Sequence, residues 1–229
     1  YNSVQTRSYD LGDLTLDGYQ HAAYILTLVQ NAQLPDTNWG QYYQQPLFYV
    51  FGAIVSKIAN AILGRTDSYS IVDAAKIVSC YASCATLLLA RKLSAYFLRS
   101  EKAKCIAVAM VAFLPQFILL SGRVNVDSLI TFFMVATLAY TFYWYQEPSM
   151  KNTVFLALFY GFGMMTKISC AIIAFFTFIL MMQKLIAAIK EKKTGKLLVK
   201  YLVFIGISFP LGLWYSLRNY ILFSQPYTY

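Results

Sequence analysis

The sequence predicts an all-α fold, a polytopic membrane bundle with amphipathic helices lying at the interface, and three observations predict it. Of the 229 residues 59% are hydrophobic, 17% aromatic and only 13% charged, outside the range of soluble domains. Several mainly apolar runs are long enough to cross a hydrocarbon core of about 30 Å. The net charge of +9 is concentrated: twelve of the nineteen Lys and Arg fall in Arg91 to Lys104, at Lys151, and in Lys184 to Lys200. Basic clusters between apolar runs are the positive-inside signature of cytoplasmic loops. The basic excess therefore reports topology, and no nucleic-acid motif accompanies it.

The N-terminal 45 residues are polar, with Asp10, Asp13, Asp17 and Asp36 against the single base Arg7. Within them, Asp17 to Gln30 carries Tyr19, Ala22, Ala23, Ile25, Leu26 and Val29 at helical spacing. This pattern predicts a short amphipathic helix lying on the membrane. Asp17 and His21 are four apart and share a face of it. Leu34 to Asn38 reads as a loop, and Gln45-Pro46 opens a second interfacial helix with Pro in its first turn.

The segment Pro46 to Leu63 is apolar enough to cross but carries Lys57 and lies close to the next span. With the basic loops cytoplasmic, either it crosses and the head is cytoplasmic, or it lies in the interface and the head is outside. The acidic head favours the outside. Residues 1–69 then form an extracytoplasmic loop with two interfacial helices, and 70–229 form the transmembrane part.

The spans follow in order: Ile71 to Ala90, Cys105 to Leu120, Leu129 to Tyr145 and Leu197 to Leu217, with Thr153 to Met182 between the last two. That last stretch, about 30 residues with Lys167 in its middle, is too long for one span and suits two short ones meeting near Lys167, giving about six spans. The chain begins without Met or a signal peptide, and it starts and stops on the extracytoplasmic side. A first span and a C-terminal part are therefore expected beyond the sequence given.

This topology gathers Asp17, the loop Ser121-Gly-Arg123-Val-Asn125-Val-Asp127, Lys167 and Arg218 at one face, along with Asp73 and Lys76. Ionisable groups at membrane depth and at span ends are costly, so their convergence is the functional signal. Cys80, Cys84, Cys105 and Cys170 lie in or beside apolar runs without metal or redox spacing and read as small core residues. Neither a Gly-rich phosphate loop nor a Ser-His-Asp pattern is present, which argues against a soluble nucleotide-sugar mechanism.

Four stretches in order, Asp17-Gly-Tyr-Gln-His21-Ala-Ala-Tyr24, Gln41-Tyr-Tyr43-Gln-Gln45-Pro46-Leu47-Phe-Tyr49, Leu120-Ser121-Gly-Arg123-Val-Asn125-Val-Asp127-Ser128, and Gly161 to Lys167 with Pro210 to Asn219, carry a resemblance. The chain resembles the glycosyltransferases of the C-type membrane fold, close to the protein O-mannosyltransferase and lipid A aminoarabinose transferase group, glycosyltransferase family 39. The family more often has Asp-Glu where this chain has Asp17-Gly18, which leaves Asp10, Asp13 or Asp127 as second-acid candidates.

The resemblance implies transfer of a sugar from a polyprenyl-phosphate donor to a lipid, glycan or protein acceptor, at the extracytoplasmic face of what it suggests is a bacterial plasma membrane. Asp17 is the candidate general base. Arg218, Lys167 and Arg123 are candidates for the lipid phosphate, and His21, Tyr43 and Gln45 for sugar or acceptor contacts. No cofactor is implied with certainty; a divalent metal stays open, although no complete ligand set is visible. The partners expected are the lipid-linked donor, the acceptor and membrane lipid, and not nucleic acid.

Each assignment has a structural competitor. Asp17 and Asp127 each precede an apolar run and suit helix capping, which for Asp127 is the stronger reading. His21 suits a local hydrogen bond, since it has no second His as a metal partner. Arg218 and Lys167 suit snorkelling anchors. Trp39, Tyr42, Tyr43 and Tyr49 suit an interfacial aromatic belt. At the level of the whole chain, a transporter with Asp127, Lys167 and Arg218 along an ion path, or a non-catalytic scaffold of similar fold, stands as the alternative.

Overall fold

The computed structural model describes residues 17–37, 40–64, 67–192 and 194–225, with side chains from His21 onward. Among these residues the fold is helical, without strands, as the composition predicts. In chain order the helices are α1 (Asp17–Asn31), α2 (Leu47–Leu63), α3 (Ser68–Phe97), α4 (Glu101–Ala112), α5 (Pro115–Ser121), α6 (Val126–Gln146), α7 (Met150–Thr166), α8 (Ala171–Lys190) and α9 (Thr194–Phe223). A 3-10 turn, Ile168–Cys170, joins α7 to α8.

The helix ends follow from local chemistry. The carboxylate of Asp67 accepts from the Ser70 N–H at 3.0 Å and starts α3, satisfying one of the donors a helix start leaves open. Gly64 ends α2 with φ of 66°, a left-handed C-cap that glycine adopts without a Cβ penalty. The run expected as one span from Cys105 to Leu120 is instead two helices bent by 64°. Pro115 is the cause: it lacks an N–H and holds Leu114 extended, so α4 cannot continue through it.

Four helices, α3, α6, α8 with its 3-10 turn, and α9, are long and apolar enough to cross a membrane, and the bent pair α4–α5 raises the number to five. Helix α7 has 17 residues, about 26 Å of helix. The chain is an integral membrane protein.

Packing runs α2 on α3, α3 on α6, α6 on α7 and α7 on α9, with α1 lying on α2. One apolar cluster, including Ile25, Phe48, Val72, Ala75, Val126 and Phe133, ties α1, α2, α3 and α6 together. Glycines let α7 and α9 approach closely. A Cβ on Gly212 would stand 2.7 Å from Met164 Cβ, and one on Gly161 would stand 2.9 Å from Leu211 Cβ.

At one end of the bundle the basic segments meet acids and carbonyls: Arg91 and Lys104 both pair with Glu101, and Lys200 donates to the Pro148 carbonyl. The opposite end collects α1, residues 32–37 and 40–46, the start of α6, Lys167 and the last turns of α9.

Candidate active site

The helix expected over Asp17 to Gln30 is observed as α1, with Asp17 its first residue. Asp10 and Asp13 lie outside the described residues, as do Trp39 and the Asp17 side chain. Four residues into α1, His21 is buried, its Nδ1 2.6 Å from the Tyr49 hydroxyl of α2. The Tyr49 hydroxyl donates to Gln44 Oε1 at 2.9 Å, and Gln44 Nε2 donates to Gln41 Oε1. The structural expectation for His21, a local hydrogen bond, is thus met.

One turn further along α1, Tyr24 reaches Tyr215 of α9, hydroxyl to hydroxyl at 2.7 Å across 191 residues of sequence. Tyr215 spends its own proton on the Tyr42 carbonyl at 2.8 Å, so Tyr24 is the donor between the two. The Tyr24 and Tyr49 rings stack with centroids 4.0 Å apart, and Tyr42 meets Tyr24 edge-on at 5.3 Å. Burial, with the Tyr215 hydroxyl next, pushes the Tyr24 phenol well above its ordinary value. Burial does the same to Tyr49, with Tyr43, Tyr215 and the Asp127 charge nearby adding to it.

The aromatic-belt reading therefore fails for Tyr49. It and Tyr24 are fully buried and stacked, and Tyr42 is half-buried against them. A belt residue keeps its hydroxyl in the headgroup layer, whereas the Tyr49 hydroxyl is used inside the protein.

The last turns of α9 close this end. Arg218 Nη2 donates to the Pro35 carbonyl at 2.7 Å and Nη1 to Asn219 Oδ1 at 3.3 Å. The guanidinium also lies over the Tyr215 ring, 5.4 Å from its centroid. No carboxylate pairs with it among the described residues. Asn219 Nδ2 donates to the Tyr43 carbonyl at 3.1 Å, and Gln45 Nε2 donates to Ser216 Oγ at 2.8 Å. Gln45 Oε1 is buried without a hydrogen-bond partner.

Asp127 and Lys167 form the neighbouring half of the site. Lys167 is extended, with φ of −159° and ψ of 134°, at the helix break expected from its single charge in a long apolar stretch. Its Nζ reaches Asp127 Oδ1 at 2.7 Å. Asp127 is not the cap of α6. Asn125 is, its Oδ1 accepting the Asp127 N–H at 2.6 Å. Asn125 occupies the extended N-cap position, and that leaves the Asp127 carboxylate, two residues into the helix, for Lys167. Arg123 sits in the turn between α5 and α6. Asp73 and Lys76 pair with each other at 3.0 Å, one turn apart on α3.

An apolar cavity of about 400 Å³ lies between α2, α3 and α6, lined by residues including Phe51, Ile54, Ile77, Tyr81, Leu129 and Phe133. It begins within two residues of Tyr49 on α2 and of Asp127 on α6. Among the described residues, no group of three His, Cys, Asp or Glu is placed to hold a metal ion.

Tyr24, Gln44, Tyr215, Ser216 and Asn219 bond to the candidate residues or to one another here; the sequence placed them within the stretches that carry the resemblance but gave them no role. Helical spacing carried a partial signal, since Tyr24 is three residues after His21, and Tyr215 and Asn219 are four apart at the site end of α9.

A family model described as dolichyl-phosphate-mannose-protein mannosyltransferase matches residues 44–214. Neither the curated proteins nor the solved structures give a significant match.

Proposed function

Because the chain belongs to the dolichyl-phosphate-mannose-protein mannosyltransferase family, we propose that it transfers a sugar from a polyprenyl-phosphate carrier to an acceptor on the extracytoplasmic face. Membership makes it a membrane glycosyltransferase of the mannosyltransferase kind. The donor, the side of the membrane and the residue roles are this reading's own.

One observation carries it. The Tyr24–Tyr215 bond fastens the helix that begins at Asp17 to the end of α9 that presents Arg218. A helix with an acid at its start is thereby joined to a guanidinium without a carboxylate partner among the described residues. Sugar transfer from a lipid phosphate needs that pairing: a base to take the proton of the attacking hydroxyl or amine, and a cation for the phosphate that departs with the electrons of the broken C1–O bond. Asp17 serves as the base, a role typically contributing roughly 10²- to 10⁴-fold. Arg218 meets the phosphate, whose oxygens match its fork.

The cavity between α2, α3 and α6 supports the same reading, because its apolar lining suits an isoprenoid chain whose phosphate lies near Asp127 and Lys167. Lys167, held by Asp127, supplies a second positive group on that side. In this reading His21, Tyr43 and Gln45 contact the sugar or the acceptor.

Purified protein supplied with polyprenyl-phosphate mannose and a set of hydroxyl and amine acceptors tests the reading. Expected is acceptor-dependent transfer that a nucleotide sugar does not support. Transfer from the nucleotide sugar alone, or solute flux in proteoliposomes with no transfer, would overturn it.

A further inference from the structure

The bases at the end of the bundle opposite the candidate active site fall into two groups, and local chemistry accounts for one better than the other. Between α3 and α4 an acid, Glu101, opens α4 at the positive end of its dipole and pairs with both Arg91 and Lys104. Lys92, Arg99 and Lys102 stand exposed around it. Where α8 gives way to α9, the first turn of α9 holds no acid and carries Lys196 instead. Lys190, Lys192 and Lys196 are exposed there, and their side chains make no ion pair or hydrogen bond among the described residues. Two other lysines of this hairpin are engaged within the protein: Lys184 lies 4.6 Å over the Tyr145 ring, and Lys200 donates to the Pro148 carbonyl.

The backbone disfavours two of the three exposed lysines. Lys192 has φ of 56°, the left-handed position just past a helix end that glycine adopts without steric cost. Lys196 sits at the positive end of the α9 dipole, where an anion is favoured and a cation is not. Lys190 alone suits its place, in the last turn of α8. Cations held exposed against local preference, with no partner inside the protein, call for an anion outside it.

The surroundings say which anion. Ile186 and Ile189 on α8, and Leu198, Val199 and Leu202 on α9, are exposed, on helices long and apolar enough to cross a membrane. An anion bound here has hydrocarbon beside it, as a lipid phosphate does and a soluble anion does not. We propose that the α8–α9 hairpin binds the headgroup phosphate of an anionic phospholipid through Lys190, Lys192 and Lys196, with its acyl chains against the exposed apolar residues of the two helices. A basic group that reads in the sequence as a topology signal thereby also selects acidic lipid from the leaflet it meets. The inference does not depend on the sugar-transfer reading, since these lysines lie at the other end of the bundle from Asp17 and Arg218.

The whole protein in neutral detergent, titrated with phosphatidylglycerol or phosphatidylcholine and followed by native mass spectrometry, tests this. Expected is saturable binding of phosphatidylglycerol in preference to phosphatidylcholine, undisturbed by inorganic phosphate at the same concentration. Lys192→Gly should weaken that binding about 5-fold, the worth of one base beside an anionic lipid surface. Its thermal midpoint without lipid should hold or rise, because glycine suits the left-handed position. The triple variant Lys190→Gln, Lys192→Gln, Lys196→Gln should lose the preference. The same charge change at the other group, Lys92→Gln, Arg99→Gln, Lys102→Gln, should leave it. Equal binding of the two lipids, or displacement by inorganic phosphate, would overturn the proposal. So would equal losses in the two triple variants, which would make binding a matter of net charge. If a triple variant does not fold, Lys192→Gly decides, and an undiminished preference in it would overturn the proposal.

Discussion

Lys167, at the break between α7 and the 3-10 turn, and Asp127, in the first turn of α6, meet at 2.7 Å although forty residues separate them. The contact joins two helix ends at the site and gives the one base inside a long apolar stretch a counter-charge. Both side chains are 39% exposed, so the attraction is largely screened. A double-mutant cycle of Asp127→Asn and Lys167→Met should yield a coupling of about 0.2–1 kcal/mol in thermal stability. Turnover should fall far more than stability does. A coupling of several kcal/mol with unchanged turnover would make the pair structural.

Arg218 tests the phosphate role separately. Two of its five N–H donors are engaged by Pro35 and Asn219, and its plane lies on Tyr215. Arg218→Lys keeps the charge but not the fork. The KM for the lipid donor should rise about 10-fold, with a loss of about 1.5–3 kcal/mol of stability from the Pro35 bond. If KM is unchanged while stability falls, the guanidinium is only a strut between α9 and the turn at Pro35.

Gly212 sets how closely α9 approaches α7, and hence where Arg218 lies two turns later. A Cβ there would stand 2.7 Å from Met164 Cβ, which is fixed to its own backbone and cannot rotate away. Gly212→Ala gains about 1 kcal/mol in helix propensity and loses about 1–3 kcal/mol to overpacking. The thermal midpoint in detergent should fall. A rise would show that the two helices separate at little cost.

The buried tyrosines predict alkaline sensitivity. A group whose folded-state value is raised contributes stability that is complete below its unfolded value, near 10 for a phenol, and lost as pH climbs through the folded value. Tyr24 is raised mainly by burial. The melting temperature should therefore decline above about pH 10, and Tyr24→Phe should flatten that decline. An identical slope in the variant would assign the effect to other groups.

Much of the architecture could be read directly from residue patterns. The amphipathic spacing from Asp17 onward located α1 to within a residue of its observed end, and the lone charge at Lys167 marked a real helix break, because 30 apolar residues exceed one span. The bend at Pro115 had a visible cause that apolar length alone concealed. The choice between Asn125 and Asp127 as cap depended on which residue the turn held extended, a matter of backbone and not of residue type. The contacts among Tyr24, Tyr49 and Tyr215 were hidden for a different reason. A tyrosine near a membrane looks the same whether it faces headgroups or a partner 191 residues away, and only tertiary packing separates the two.

The most direct test of the central claim is sugar transfer by Asp17→Asn. Asparagine keeps the size of the side chain and removes the base. Measured beside wild type on polyprenyl-phosphate mannose, with a monodisperse profile confirming the fold, the variant should lose roughly 10²- to 10⁴-fold in turnover. Transfer at the wild-type rate would contradict the account and remove Asp17 from the chemistry.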